Sequence, residues 1–245
     1  MAAEMAMAFI IAFDTKERFA NLPTGFRTIK VKQMAKYKNG INGAFSGKIG
    51  SVVGASYRGI DYMRSLPETR KPPSAKQLHQ QLKFSVITAW LRPILSLINI
   101  GFQLLTGDKS AMNRAVSYHM REALIDDGQE VAIDFKRAVF SRGELLVSWI
   151  LEVLTLVNAV LNIKWDNGPE SLFSKANDKA TFIIYNPQKE KFVTFKDVAQ
   201  RQDKETVLQL PKRFAGDTVH AWMQYSNAEG DMVSTSVYLG EIVVG

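Results

Sequence analysis

The stretch GINGAFSGKIGSVVGASYRGIDYMRSLPETRKPP, residues 40 to 73, gathers glycine, positive charge and a hairpin pattern in one place. Its glycines stand at 40, 43, 47, 50, 54 and 59, and two readings compete. Wound as a helix, that spacing aligns a stripe of small residues of the kind that packs membrane helices together. Each interior glycine costs a helix about 1 kcal/mol relative to alanine. Lys48 interrupts the stripe, and the stretch lacks the roughly 20 apolar residues of a span. The extended reading is the better one, with glycine supplying positive φ or letting another backbone approach.

On that reading Ser51 to Tyr57 form one short strand, Arg58-Gly59 the turn and Ile60 to Leu66 the return strand, which Pro67 ends. Alternation puts Ile60, Tyr62, Arg64 and Leu66 on one face and Asp61, Met63 and Ser65 on the other. Neither face is purely apolar, so the ribbon is expected to pack on a partner element.

At 245 residues and 46% apolar, the chain can build one large or two ordinary cores. Cysteine is absent, which removes disulfides, thiolate catalysis and cysteine metal sites and leaves the compartment open. The start, MAAEMAMAFIIAF, has Glu4 where a signal peptide carries cations, so no signal peptide is expected and the cytoplasm is the default. Met34 opens MAKYKNG directly before the glycine stretch, and residues 1 to 33 read as an upstream extension of the true start. The net charge of +7 is uneven: residues 34 to 76 hold eight basic and two acidic groups, residues 129 to 245 thirteen and fifteen. A local positive field beside a near-neutral body suits an anionic partner.

Pro72 and Pro73 keep the next segment extended. Ser74 with Gln77 three residues on fits a capping box, and Leu78, Leu82, Ser85, Val86, Ala89 and Trp90 then recur at helical spacing. Pro93 should kink that helix. The apolar run that follows, through Leu105, reads as buried helix and no membrane span is expected. Asp108 or Ser110 caps a further helix that Asp126-Asp127-Gly128 ends.

From Val131 the period changes to two. Strands are expected near 131 to 140, 144 to 149, 159 to 165, 180 to 185, 191 to 195, 206 to 210, 218 to 225 and 232 to 243. The run ILEVLTLVN at 150 to 158 fits strand and helix alike. Turn residues such as Asp166-Asn167-Gly168-Pro169 and Asn227 to Asp231 separate the strands. So many short strands suit a sandwich of immunoglobulin or fibronectin type III kind, with Trp165, Tyr185, Trp222 and Tyr225 as core aromatics. The expected fold is α+β: an N-terminal Gly-rich β-hairpin and helical hairpin over 34 to 128, then an all-β immunoglobulin-like sandwich over 129 to 245.

Two segments carry a resemblance. SGKIGSVVGASYRGIDYMRSLP at 46 to 67 and AVSYHMREAL at 115 to 124 resemble an uncharacterised Bacteroidota family known only as a domain of unknown function. Gly54 with Tyr57 to Arg64 is its most specific part, and the likeness runs from Met34 to the C-terminus. It implies an architecture and no activity.

Chemistry is sparse. Ser46-Gly47-Lys48 fails the phosphate-loop motif, because three residues separate Gly43 from Gly47 and Ile49 follows the lysine. His79, His119 and His220 have no metal-ligand spacing, no G-x-S-x-G elbow marks a nucleophile, and the acidic loops at Asp126-Asp127 and Asp166 to Glu170 lack EF-hand spacing. No cofactor or metal is expected. What remains is the basic, aromatic ribbon of Lys48, Tyr57, Arg58, Tyr62, Arg64, Arg70 and Lys71. Such residues anchor protein interfaces and also pair phosphates and stack bases. The expected role is a non-enzymatic structural or binding module whose ribbon docks a protein partner or a second copy. Nucleic-acid binding is the alternative, and an enzyme using Glu130, Asp134 or Glu144 in a pocket is the third.

Overall fold

The computed structural model describes residues 36–37, 43–57, 59–66, 72–103, 109–128 and 130–245. The expected extension at 1 to 33 lies outside them. The chain divides into two units at Lys71 and Pro72.

Among its described residues the first unit is a four-stranded antiparallel meander, β1 (Lys36–Tyr37), β2 (Phe45–Ile49), β3 (Val52–Tyr57) and β4 (Ile60–Ser65), in that spatial order. The extended reading of the glycines holds. Gly47, Gly50 and Gly59 have φ of 116°, 58° and 82°, far from the helical value near −63°. Gly54 serves close approach instead, because a Cβ there would stand 2.2 Å from the Phe45 carbonyl oxygen and 2.7 Å from its ring. β3 and β4 pair from Val52↔Ser65 to Tyr57↔Ile60. β4 is an edge strand, and all six of its residues are exposed.

The second unit begins with helices α1 (Ala75–Leu91), α2 (Leu95–Gly101) and α3 (Ala111–Glu122). The capping box starts α1: the Ser74 N–H donates to Gln77 Oε1 at 2.9 Å, and the Gln77 N–H to Ser74 Oγ at 3.4 Å. Pro93 falls in a 3-10 turn, Arg92–Ile94, between α1 and α2. Ser110 caps α3 through the Asn113 N–H. That helix stops at Glu122, short of the expected Asp126-Asp127-Gly128 end, because Leu124 to Asp126 are taken up as a strand.

Nine short strands follow among the described residues: β5 (Leu124–Asp126), β6 (Val131–Ile133), β7 (Trp149–Leu156), β8 (Val160–Asp166), β9 (Lys179–Asn186), β10 (Lys191–Gln200), β11 (Glu205–Gln209), β12 (Thr218–Ser226) and β13 (Val237–Val243). β5 pairs with β6; the rest form two antiparallel sheets, ordered β11-β8-β7 and β10-β9-β12-β13. Together these make an α+β fold dominated by an immunoglobulin-like sandwich. The ambiguous run at 150 to 158 is mostly strand β7. The expected strand at 144 to 149 is an extended strap up to Ser148, held by a parallel bridge from Leu145 to Ser234 and by the bond between Ser148 and Tyr225 of β12.

The apolar run ATFIIY, residues 180 to 185 of β9, explains the layering. A strand buried on both faces reads as a continuous apolar run, and every residue of it is buried. Phe182 and Ile184 face the three-stranded sheet in a core with Leu161, Ile163, Trp165, Leu208, Phe214 and Tyr225. Ile183, Tyr185 and Trp222 face the other way, into a second core with Ile87, Trp90, Leu91, Ile98, Phe102 and Phe140. The helices, which the sequence groups with the ribbon, thus form a third layer on the outer face of the β10-β9-β12-β13 sheet. Each large apolar side chain so buried stabilises by about 1.5–3 kcal/mol. The helical run Ala75–Gly101 has the length and composition to cross a membrane, with a mean hydropathy of 1.4, yet one side of it lines this core.

The strap from Ala138 to Ser148 joins the helical layer to the sandwich. The Arg142 N–H donates to the Gly101 carbonyl at 2.9 Å, and the Leu145 N–H to the Val233 carbonyl at 3.1 Å. Ser141 Oγ donates to the Ser234 carbonyl and the Phe140 N–H to Ser236 Oγ. Glycine is required at both crossings: a Cβ on Gly101 would meet the Phe140 carbonyl oxygen at 2.2 Å, and one on Gly143 the Val233 carbonyl oxygen at 2.0 Å.

Candidate functional site

Residues directly opposite on paired strands share a face. Lys48 pairs with Val53, and Val53 with Arg64, so one row across β2, β3 and β4 carries both cations. Two strand spacings separate their backbones, about 10 Å. Tyr62 lies two residues from Arg64 on β4, and Tyr57 shares a row with Ile60. Lys48, Tyr57, Tyr62 and Arg64 therefore come together on one face, while Asp61 and Met63 take the other. Arg58, Arg70 and Lys71 lie outside the described residues.

Neither Lys48 nor Arg64 enters an ion pair among the described residues. The apolar side chains are also open: Ile60 and Met63 are each 70% exposed. Along β4 itself all six residues are exposed.

The three histidines are engaged in the fold. His79 Nε2 lies 2.9 Å from Asp126 Oδ1, and Lys83 pairs with Oδ2 of the same carboxylate. Lys83 first, then His79, hold Asp126 well below the usual carboxylate range. His119 is buried beside Trp90 and Phe140. Its Nδ1 donates to the Ala115 carbonyl at 2.8 Å and its Nε2 accepts the Val139 N–H at 3.4 Å, which fixes the neutral tautomer. Burial pushes its pKa down. His220 is likewise held down by burial; it bonds the Tyr238 hydroxyl and stacks on Phe135.

Of the carboxylates offered for catalysis, Asp134 accepts the Lys136 N–H and pairs with Arg137, while Glu130 and Glu144 are exposed. Among the described residues no three His, Asp or Glu side chains are grouped to hold a metal ion.

A buried constellation escaped sequence reasoning. Arg201, just past β10, donates from Nε to Asp178 Oδ2 at 3.0 Å, from Nη2 to the Leu146 carbonyl at 2.7 Å and from Nη1 to Ser148 Oγ at 3.3 Å. Its guanidinium lies 3.8 Å from the centre of the Tyr225 ring. Ser148 Oγ donates to Asn167 Oδ1 at 2.6 Å, so the Tyr225 hydroxyl must donate to Ser148. Burial pushes that tyrosine to about 12. Buried and bonded to one another, with Asp178 Oδ1 alone in the group left without a partner, these side chains clamp the sandwich end.

The fold defines a class: an α+β protein whose larger part is an immunoglobulin-like or fibronectin-like sandwich with a helical layer. The chain belongs to the family of unknown function DUF6266, whose profile matches residues 43–240. The match enters in the ribbon and ends within β13. No curated protein sequence matches the chain. Among solved structures, the chicken CNTN1 FN1-FN3 domains are similar at 14% identity over 42% of this chain, with a TM-score of 0.31. This chain spans 33% of that one.

Proposed function

We propose that this protein is a non-enzymatic structural or binding module that takes part in protein assembly through its basic glycine-rich ribbon. One observation carries the reading: β4 is an open edge whose face joins Arg64 and Tyr62 to exposed Ile60, in a row with Lys48. An unpaired edge offers backbone donors and acceptors to an added strand. Tyrosine and arginine are frequent anchors of protein interfaces, and Ile60 and Met63 on the same strand give a partner apolar surface to cover.

Replacing Arg58 and Arg64 by glutamate tests it. Oligomer size or pulldown of a protein partner should change while the melting temperature of the second unit stays put. Unchanged profiles would remove the ribbon from the function. The mixed cationic and aromatic face also fits nucleic acid, and titration with duplex and single-stranded DNA across salt separates the two: a steep loss of affinity with rising salt favours nucleic acid.

A further inference from the structure

β4 ends the ribbon and β7 ends the three-stranded sheet, so among the described residues each leaves one side of its backbone without a ladder partner. β7 pairs only with β8 among the described strands. A register shift between Ile150 and Glu152 makes Leu151 a bulge, so the alternation of faces that runs from Glu152 to Leu156 does not continue through Ile150 and Trp149. At the other end Gly245 passes so close that a Cβ on it would stand 2.9 Å from the Leu156 carbonyl oxygen. The usable edge is therefore Glu152 to Leu156.

The outward face of this edge is set by the sheet behind it. Glu152 lies opposite Lys164, itself opposite Glu205, with Lys164 Nζ 3.3 Å and 3.9 Å from the two carboxylates. Leu154 lies opposite Asn162 and then Val207; Leu156 lies opposite Val160. Leu154, Leu156 and Val207 are exposed. The strand carries one carboxylate and no cation, so a partner strand should bring a cation level with Glu152 and apolar groups level with Leu154 and Leu156.

β4 has that pattern. Set antiparallel with Arg64 opposite Glu152, it puts Tyr62 opposite Leu154 and Ile60 opposite Leu156, all on one face. Charges then alternate in sign across four strands, Arg64, Glu152, Lys164, Glu205. A slip of one residue would turn every side chain to the wrong face. A second β7 in the same window would set Glu152 against Leu156 and supply no cation, so charge complementarity selects the ribbon.

We infer that β4 of one copy adds to β7 of a second copy in this register. The inference rests on the assembly reading and names the acceptor. Because donor and acceptor are different surfaces, the contact is head-to-tail and closes into a ring or runs on as a filament.

The test uses the full chain in sedimentation velocity at micromolar concentration. The wild type is expected to sediment as more than one chain. Arg64→Glu and Glu152→Arg should each weaken self-association by roughly tenfold or more, as like charges meet across the contact. An equimolar mixture of the two variants should associate again, because the carboxylate introduced on β4 of one then meets the guanidinium introduced on β7 of the other; recovery also proves both folded. Leu154→Lys, which spares the Glu152–Lys164 pair, should give the same loss. A wild type that stays a single chain overturns the inference. So does loss with Arg64→Glu but not with Glu152→Arg, which leaves the ribbon reading standing with another acceptor; no loss with either variant sinks both.

Discussion

Arg201 Nε donates to Asp178 Oδ2 at 3.0 Å with both side chains sealed, 3% and 0% exposed. Removing one partner strands the other charge in the interior, which typically costs 3–5 kcal/mol. Arg201→Ala should therefore lower stability to urea by about that much, and Asp178→Ala should do the same. Replacing both together by leucine and methionine should cost less than either single change, and a double cost equal to the sum would mean the pair is not coupled.

Acid should unfold the second unit in two stages. His119 is held below its ordinary 6.5 by burial, so the unfolded chain takes up protons that the folded one refuses. Stability is full above about pH 6.5 and falls below it by up to about 1.4 kcal/mol per pH unit for each such histidine. His220 shifts the same way and adds to the slope. Asp126 and Asp217, whose acidity is raised chiefly by bonds from Lys83 and Lys189, contribute stability that disappears only below about pH 4. Urea midpoints between about pH 7 and pH 5 should decline, and less so in a His119→Gln variant. A flat profile would mean His119 takes up its proton within the fold.

Gly54→Ala should distort the ribbon alone. The new methyl meets Phe45 backbone and ring together, an overpacking of about 1–3 kcal/mol. Hydrogen exchange should quicken in β2 to β4 and stay unchanged in β9 and β12.

Ser74→Ala removes the hydroxyl that accepts the Gln77 N–H at the start of α1. A lost cap costs about 1 kcal/mol, which melting of the full chain should show as a small downward shift. A Ser74→Asp variant should restore it.

Local signals carried the elements that were legible. Ser74 with Gln77 and Ser110 before Ala111 announce their helices within four residues, and the run from Val52 to Ser65 announces its hairpin because both strands and the turn are contiguous. β7 was harder: the Leu151 bulge disturbs the period of two, and outward Leu154 and Leu156 make an edge strand look like a buried run. The helices are legible but their place as a layer on the β10-β9-β12-β13 sheet is not, although Ile183, Tyr185 and Trp222 hint at it, since alternate apolar residues on both faces of β9 require a cover on each side. The clamp around Arg201 left no trace, because Ser148, Asp178, Arg201 and Tyr225 are distant in sequence and meet only once the sheets are packed. On the ribbon, periodicity was enough to predict that Tyr62 and Arg64 share a face, whereas Lys48 joins them only through the register of β2 on β3.

The strap from Ala138 to Ser148 has a mechanical meaning. Pull applied at the helices passes to the final hairpin through backbone bonds at Gly101 and Val233, with no slack loop to take up the strain. Helices and sheets should give way in one event under tension, and single-molecule stretching should record one rupture for this unit instead of a staircase.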